Sequence, residues 1–140
     1  MFRKKQEISK IPMPLVISKE SLEEMKTYVD TCVELIIDFW KVSKTMAKLP
    51  ESEELSGLRD DMHRFSDSLK KNGFVIDDLT GKTYNVGLSV HPIHFETAKE
   101  GELTEPVISE TIRPVIYLKG RVIERGEVIV REPYSEKERS

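Results

Sequence analysis

The chain has 140 residues, with 22 Lys and Arg against 25 Asp and Glu, a net charge of -3 and 34% charged residues. That length buries one ordinary core or two small lobes, and so polar a balance suits long exposed helical faces better than a thick globule. No basic field exists to hold nucleic acid or an anionic membrane, so neither is expected as a partner.

Residues 1–17 combine Arg3, Lys4 and Lys5 with Pro12 and Pro14, a mixture that cannot hold a regular helix and reads as an extended arm. The basic start is like that of a signal peptide. However, the prolines interrupt the next apolar stretch and no small-residue cleavage site follows, so none is expected. No run approaches the length of a membrane span.

A first helix is predicted from Ser21, which fits a capping box with Glu24, aided by Glu20 and Glu23 at the positive end of the helix dipole; Pro50 supplies the stop. Within it Leu22, Met25, Val29, Cys32, Ile36, Phe39 and Met46 repeat at steps of three and four, broken only at Ser43. This is the pattern of a coiled-coil seam. A second stripe, Val33, Ile37 and Trp40, lies beside it, more apolar surface than one partner helix would cover. Cys32, the single cysteine, is read as a small buried hydrophobe in a reducing, cytoplasmic setting.

A second helix is predicted over Ser52–Asn72, with Leu55, Leu58, Met62, Phe65 and Leu69 at heptad spacing and Gly73 as terminator. The short link at Pro50–Ser52 suits an antiparallel hairpin, and also allows a bend between end-to-end helices. Each seam residue gains about 1.5–3 kcal/mol on burial, most of which a solitary hairpin forfeits. Residues 18–73 are therefore predicted to form a dimerisation region, with Leu22, Met25, Val29, Cys32, Ile36, Phe39 and Trp40 as the homodimer interface. Phe39 and Trp40 read as bundle core rather than as partner-binding aromatics.

From Phe74 the period changes. Phe74–Ile76 precedes the turn Asp78–Gly81, and Val107–Leu118 and Glu127–Val130 are rich in β-branched residues punctuated by Gly120 and Gly126. A small all-β domain is predicted over 74–132, with Pro114 on an edge or at a bulge and a flexible tail over 133–140. The fold class is α+β.

Chemical motifs are sparse. Gly81-Lys82-Thr83 has the ending of a phosphate loop, but Ile76 stands where the first glycine belongs. His91 and His94 read as surface or loop residues whose spacing on a strand would send the rings to opposite faces, so no metal is expected. Glu100, Glu102 and Glu105 read as a solvated charge run, and no nucleophile sits in an elbow. Neither enzyme activity, a cofactor nor a small-molecule substrate is expected.

Two junctions carry a resemblance. Leu69-Lys70-Lys71-Asn72-Gly73-Phe74-Val75-Ile76 resembles the helix-to-sheet junction of the GrpE family, and Gly81-Lys82-Thr83-Tyr84-Asn85 resembles that family's Gly-Glu-Pro-Phe-Asp turn. Leu118-Lys119-Gly120-Arg121-Val122-Ile123, followed by Val128-Ile129-Val130, resembles its closing hairpin. Over residues 52–131 the chain is thus similar to a compact member of a family of nucleotide exchange factors for DnaK-type chaperones. The resemblance implies a cytoplasmic homodimer that stands on its helices while one β domain opens the chaperone's ATPase domain to release ADP. Arg121 falls where the family's hairpin has an arginine that contacts the chaperone. The resemblance makes it the polar anchor, with Lys119 and Gly120 in its turn and with Ile112 and Arg113 as neighbouring contact surface. Val86-Gly87-Leu88-Ser89-Val90 stands where the family has Asp-Pro-x-x-His-Glu-Ala. That departure motivates an alternative, a non-catalytic adaptor that uses the same architecture to dock a different partner.

Overall fold

A computed structural model describes residues 17–135. The expected arm over 1–17 lies outside the described residues except for Ile17, as does the expected tail beyond residue 135. Two helices, α1 (Lys19–Ala47) and α2 (Glu53–Lys71), precede six strands, so the chain is α+β. Packing divides it inside α1, into Met1–Cys32 and Val33–Ser140. No helix among the described residues is long and apolar enough to cross a membrane.

In the first part every described side chain is exposed, including Leu22, Met25, Val29 and Cys32. Ser18, rather than Ser21, caps α1: its hydroxyl oxygen accepts the Ser21 backbone N–H at 3.1 Å. Both serines have the capping chemistry, and Lys19 and Glu20, good helix formers, extend the helix to the earlier one.

In the second part α2 begins and ends where its caps predict. The Ser52 side chain accepts from the Leu55 N–H, Glu53 and Glu54 occupy the first turn, Lys70 and Lys71 the last, and Asn72 is the C-cap. The ring of Phe39 stacks on Phe65 with centroids 4.4 Å apart, while Arg59 reaches the carbonyls of Met46 and Leu49. Residue 39 against 65 and 46 against 59 means the helices run antiparallel, which selects the hairpin over the bend.

The strands are β1 (Phe74–Asp77), β2 (Val90–Thr97), β3 (Val107–Arg113), β4 (Val115–Leu118), β5 (Arg121–Glu124) and β6 (Gly126–Glu132). They form two three-stranded sheets, in the orders β1-β4-β5 and β2-β6-β3. The first is antiparallel throughout; in the second β6 runs parallel to β2 and antiparallel to β3. The expected single run Val107–Leu118 is two strands in different sheets. Pro114, its side chain fully buried, is the crossing point, because a residue with no N–H cannot continue the ladder. The predicted final hairpin is likewise β4–β5 alone, and β6 leaves it for the other sheet. No strand was expected over 90–97, since Pro92 and two histidines interrupt the apolar pattern and only Val90 is buried there. Its partner β6 arrives from nearly thirty residues later, a long-range pairing that local pattern does not reveal.

Two apolar clusters hold the second part together. Leu79, Val90, Ile108, Val115, Val128 and Val130 form one. Val33, Ile36, Ile37 and Ile116 form the other, joined by Leu69, Phe74, Ile76 and Ile123. Successive residues of a strand point to opposite faces, so Val115 and Ile116 of β4 serve opposite clusters. Val33 and Ile37 of the second stripe, with Ile36, are therefore covered within the chain by strand residues. Ile36 and Trp40, expected at a homodimer interface, are buried in this unit at 4% and 8% exposure, and Phe39 is half-buried against Phe65. Periodicity identifies an apolar face but not what covers it.

Candidate partner-binding site

The β4–β5 hairpin closes with Leu118 paired to Arg121, leaving Lys119 and Gly120 as a two-residue turn. Both have positive φ, 50° and 80°. That geometry matches the twist of the flanking strands, and it makes glycine the natural second residue. The turn is fastened to the end of α2: the Lys119 backbone N–H donates to the Gly73 carbonyl at 2.8 Å. Gly73 has φ 87°, and a Cβ there would come 2.9 Å from Lys119 Cγ. Helix end and hairpin turn are thus in van der Waals contact.

Arg121 follows this turn, is exposed, and among the described residues makes no hydrogen bond or ion pair. Val122 beside it is also exposed. A free guanidinium beside a rigid turn can meet a carboxylate in a planar, bidentate way.

Arg113, expected as neighbouring contact surface, is differently placed. Its guanidinium lies 2.6 Å from Glu34 of α1, 3.3 Å from Glu124 of β5 and 3.5 Å from Glu127 of β6. Its hydrogen bond to Glu34 holds the arginine's pKa above the ordinary value. The same bond, with the Coulomb attraction of Arg113, holds the Glu34 carboxyl below its usual range. Arg113 therefore clamps a helix to both sheets. Ile112 beside it is half-buried on β3. Glu124 lies at the other end of β5 from Arg121, on the order of 10 Å away at the rise of a strand. The fold brings Lys119, Gly120 and Arg121 together and leaves Ile112 and Arg113 apart from them.

Two further polar networks are absent from the sequence reading. The Asp78 carboxylate accepts the backbone N–H and the hydroxyl of Thr80, whose oxygen lies 2.9 Å from that of buried Thr111. Burial pushes Asp78 up, but these hydrogen bonds and Lys44 overcome it and hold the carboxyl below its ordinary value. Lys44 also sits over the Trp40 ring, 4.5 Å from its centroid. Glu102, read as part of a solvated run, accepts the Lys99 N–H and pairs with both terminal nitrogens of Arg131. Asp78-x-Thr80 carries a recognisable turn signal; the pairing of Glu102 with a residue on β6 carries none.

The segment with the ending of a phosphate loop runs alongside β3. Gly81 N–H donates to the Ile108 carbonyl and Tyr84 N–H to that of Pro106, and the Lys82 carbonyl accepts from Ile108. These amides serve the sheet rather than a phosphate. His91 and His94 lie exposed on β2, and among the described residues no three His, Cys, Asp or Glu side chains converge to hold a metal ion. No family model matches the chain, and neither does any curated protein.

Proposed function

We propose that the chain is a GrpE-like nucleotide exchange factor, a cytoplasmic protein that acts as a homodimer through its helices and promotes ADP release from a DnaK-type chaperone. The observation that carries this reading is Arg121, unpaired among the described residues, on a tight turn fastened to the helical hairpin. A factor of this kind makes and breaks no bond. It must bind the open arrangement of the chaperone's nucleotide-binding lobes more tightly than the closed one, and by linkage it weakens ADP as much as ADP weakens it. A rigid projection with one charge-assisted contact is suited to that, since it fits one lobe spacing and not another. Lys119 and Gly120 shape the turn, while Arg113 and its carboxylates hold the strands beneath it.

The test is release of fluorescent ADP from the DnaK-type chaperones of the source cell, with the protein and with its Arg121→Ala variant. Acceleration by the parent and its loss in the variant is the expected result; no acceleration by either would remove the exchange reading.

The adaptor reading is favoured by one observation, that Val86–Val90 stands in place of the family's acidic and histidine-bearing signature and leads into an edge strand. An adaptor would bind its partner with unchanged nucleotide affinity, which isothermal titration with and without ADP separates from exchange.

A further inference from the structure

Between the two helices lies a cleft of about 480 Å3, lined from α1 by Trp40, Ser43 and Met46, from α2 by Arg59, Met62 and Ser66, and from β1 by Ile76. Its size is in the range that takes a small organic molecule. The residues at its centre keep it open. The helices are fastened at two levels, where Phe39 stacks on Phe65 and where Arg59 reaches the carbonyls of Met46 and Leu49. Between those levels stand Ser43, the residue that breaks the apolar seam of α1, and Met62 of α2. A serine fills little of the space that a seam residue would take, and its hydroxyl is spent on the Phe39 carbonyl at 3.1 Å. A methionine can repack around a guest.

The lining is largely apolar, yet two of its donors are unmet. Trp40 is 8% exposed, and its indole N–H makes no hydrogen bond among the described residues. Arg59 spends Nη1 on Glu51 at 2.7 Å and Nη2 on the two carbonyls, while its Nε–H is buried with no partner among the described residues. A buried donor without an acceptor is costly to the fold. The carboxylates, by contrast, are answered: Lys44 lies 3.4 Å from Asp78, which also lines the cleft, and Arg59 holds Glu51. A fitting ligand therefore brings an acceptor rather than a cation. We propose that the cleft binds a small aromatic carboxylate, its ring held between the Trp40 indole and the two methionines and its oxygens accepting from Trp40 and Arg59. Aromatic and thioether surfaces favour a flat ring, and a carboxylate is the acceptor that a guanidinium N–H binds most strongly. The site uses none of the residues of the β4–β5 turn, so it stands whether or not the chain exchanges nucleotide.

The test is an NMR titration of the isotope-labelled full chain with naphthoate. Trp40 is the single tryptophan, so its indole N–H gives one unmistakable signal. That signal and the methyl signals of Met46 and Met62 should shift and saturate at sub-millimolar naphthoate. Naphthylmethylammonium, which carries the same ring with a cation in place of the acceptor, should bind about tenfold more weakly or not at all. Trp40→Phe keeps a ring and deletes the N–H; read from the methionine methyls, it should weaken naphthoate about tenfold with an unchanged circular dichroism spectrum. Should that variant not fold, the two probes on the unaltered chain decide alone. No saturable shift, equal binding of the two probes, or a folded Trp40→Phe with full affinity would overturn the proposal. So would a Trp40 signal that moves with protein concentration alone, which would give the cleft to a second copy of the chain.

Discussion

At the strand end of the β4–β5 hairpin Arg113 is gripped by carboxylates from α1, β5 and β6, whereas at its turn Arg121 meets none among the described residues. Each arginine follows or precedes β-branched residues in much the same local sequence, and the resemblance assigned both to one contact surface. The difference lies in what the fold delivers to them. Glu34 is 79 residues from Arg113 in the chain, and only the docking of α1 on the sheets brings it there. An arginine with three carboxylates is a fastener; one with no carboxylate is available to a partner.

Substitutions can break or sharpen this contrast. The largest effect is expected where the two ends share support. Ile116 is fully buried between α1 and the antiparallel sheet, and Ile116→Ala should lower stability by about 2–5 kcal/mol, read by urea unfolding, through lost transfer energy and a cavity. Arg113→Met should come next. It leaves three carboxylates close together without their cation and should cost about 1–2 kcal/mol after allowance for solvent screening. If Arg113→Met proves neutral, the clamp is ornamental and the contrast fails.

The pH dependence of the clamp has a defined sign. Glu34 has its carboxyl held below the ordinary value of 4.5 by Arg113, so its contribution is fully present above that value and fades as the pH falls through the lower, folded one. The stability difference between the parent and Glu34→Gln should therefore be constant near neutrality and shrink on acidification below about 4.5. A difference that grew in acid would contradict the assignment. The smallest stability effect is expected at the other end: Arg121→Ala should stay within about 0.5 kcal/mol of the parent in urea unfolding. On the proposed reading the same substitution abolishes accelerated ADP release, so the two arginines should separate stability from function.

The helices were legible because their signals are local. Ser52, the acidic first turn, the basic last turn and Gly73 place the ends of α2 without any tertiary contact. β1 and the turn at Lys119–Gly120 were legible for similar reasons. β2 was not, because its ladder is made with a strand distant in sequence and its own residues are nearly all exposed. At the candidate site the turn that displays Arg121 was legible, because Lys119 and Gly120 form a local two-residue turn, whereas the carboxylates around Arg113 were not, because nothing local announces them.

By itself the sequence determined which segments are helix, where α2 is capped, that the back half is β, and which residues are apolar enough to need covering. Those properties depend on neighbours within a few positions. Only the tertiary structure decided that Pro114 is a crossing between sheets, that Ile36 is covered by strand residues of the same chain, that Trp40 is buried within this unit, and that Arg113 is a clamp. It also decided that Leu35, Val42, Leu58 and Phe65 remain outside. A period of three and four marks a face as apolar, but what meets that face depends on contacts made across tens of residues, and no local pattern encodes them.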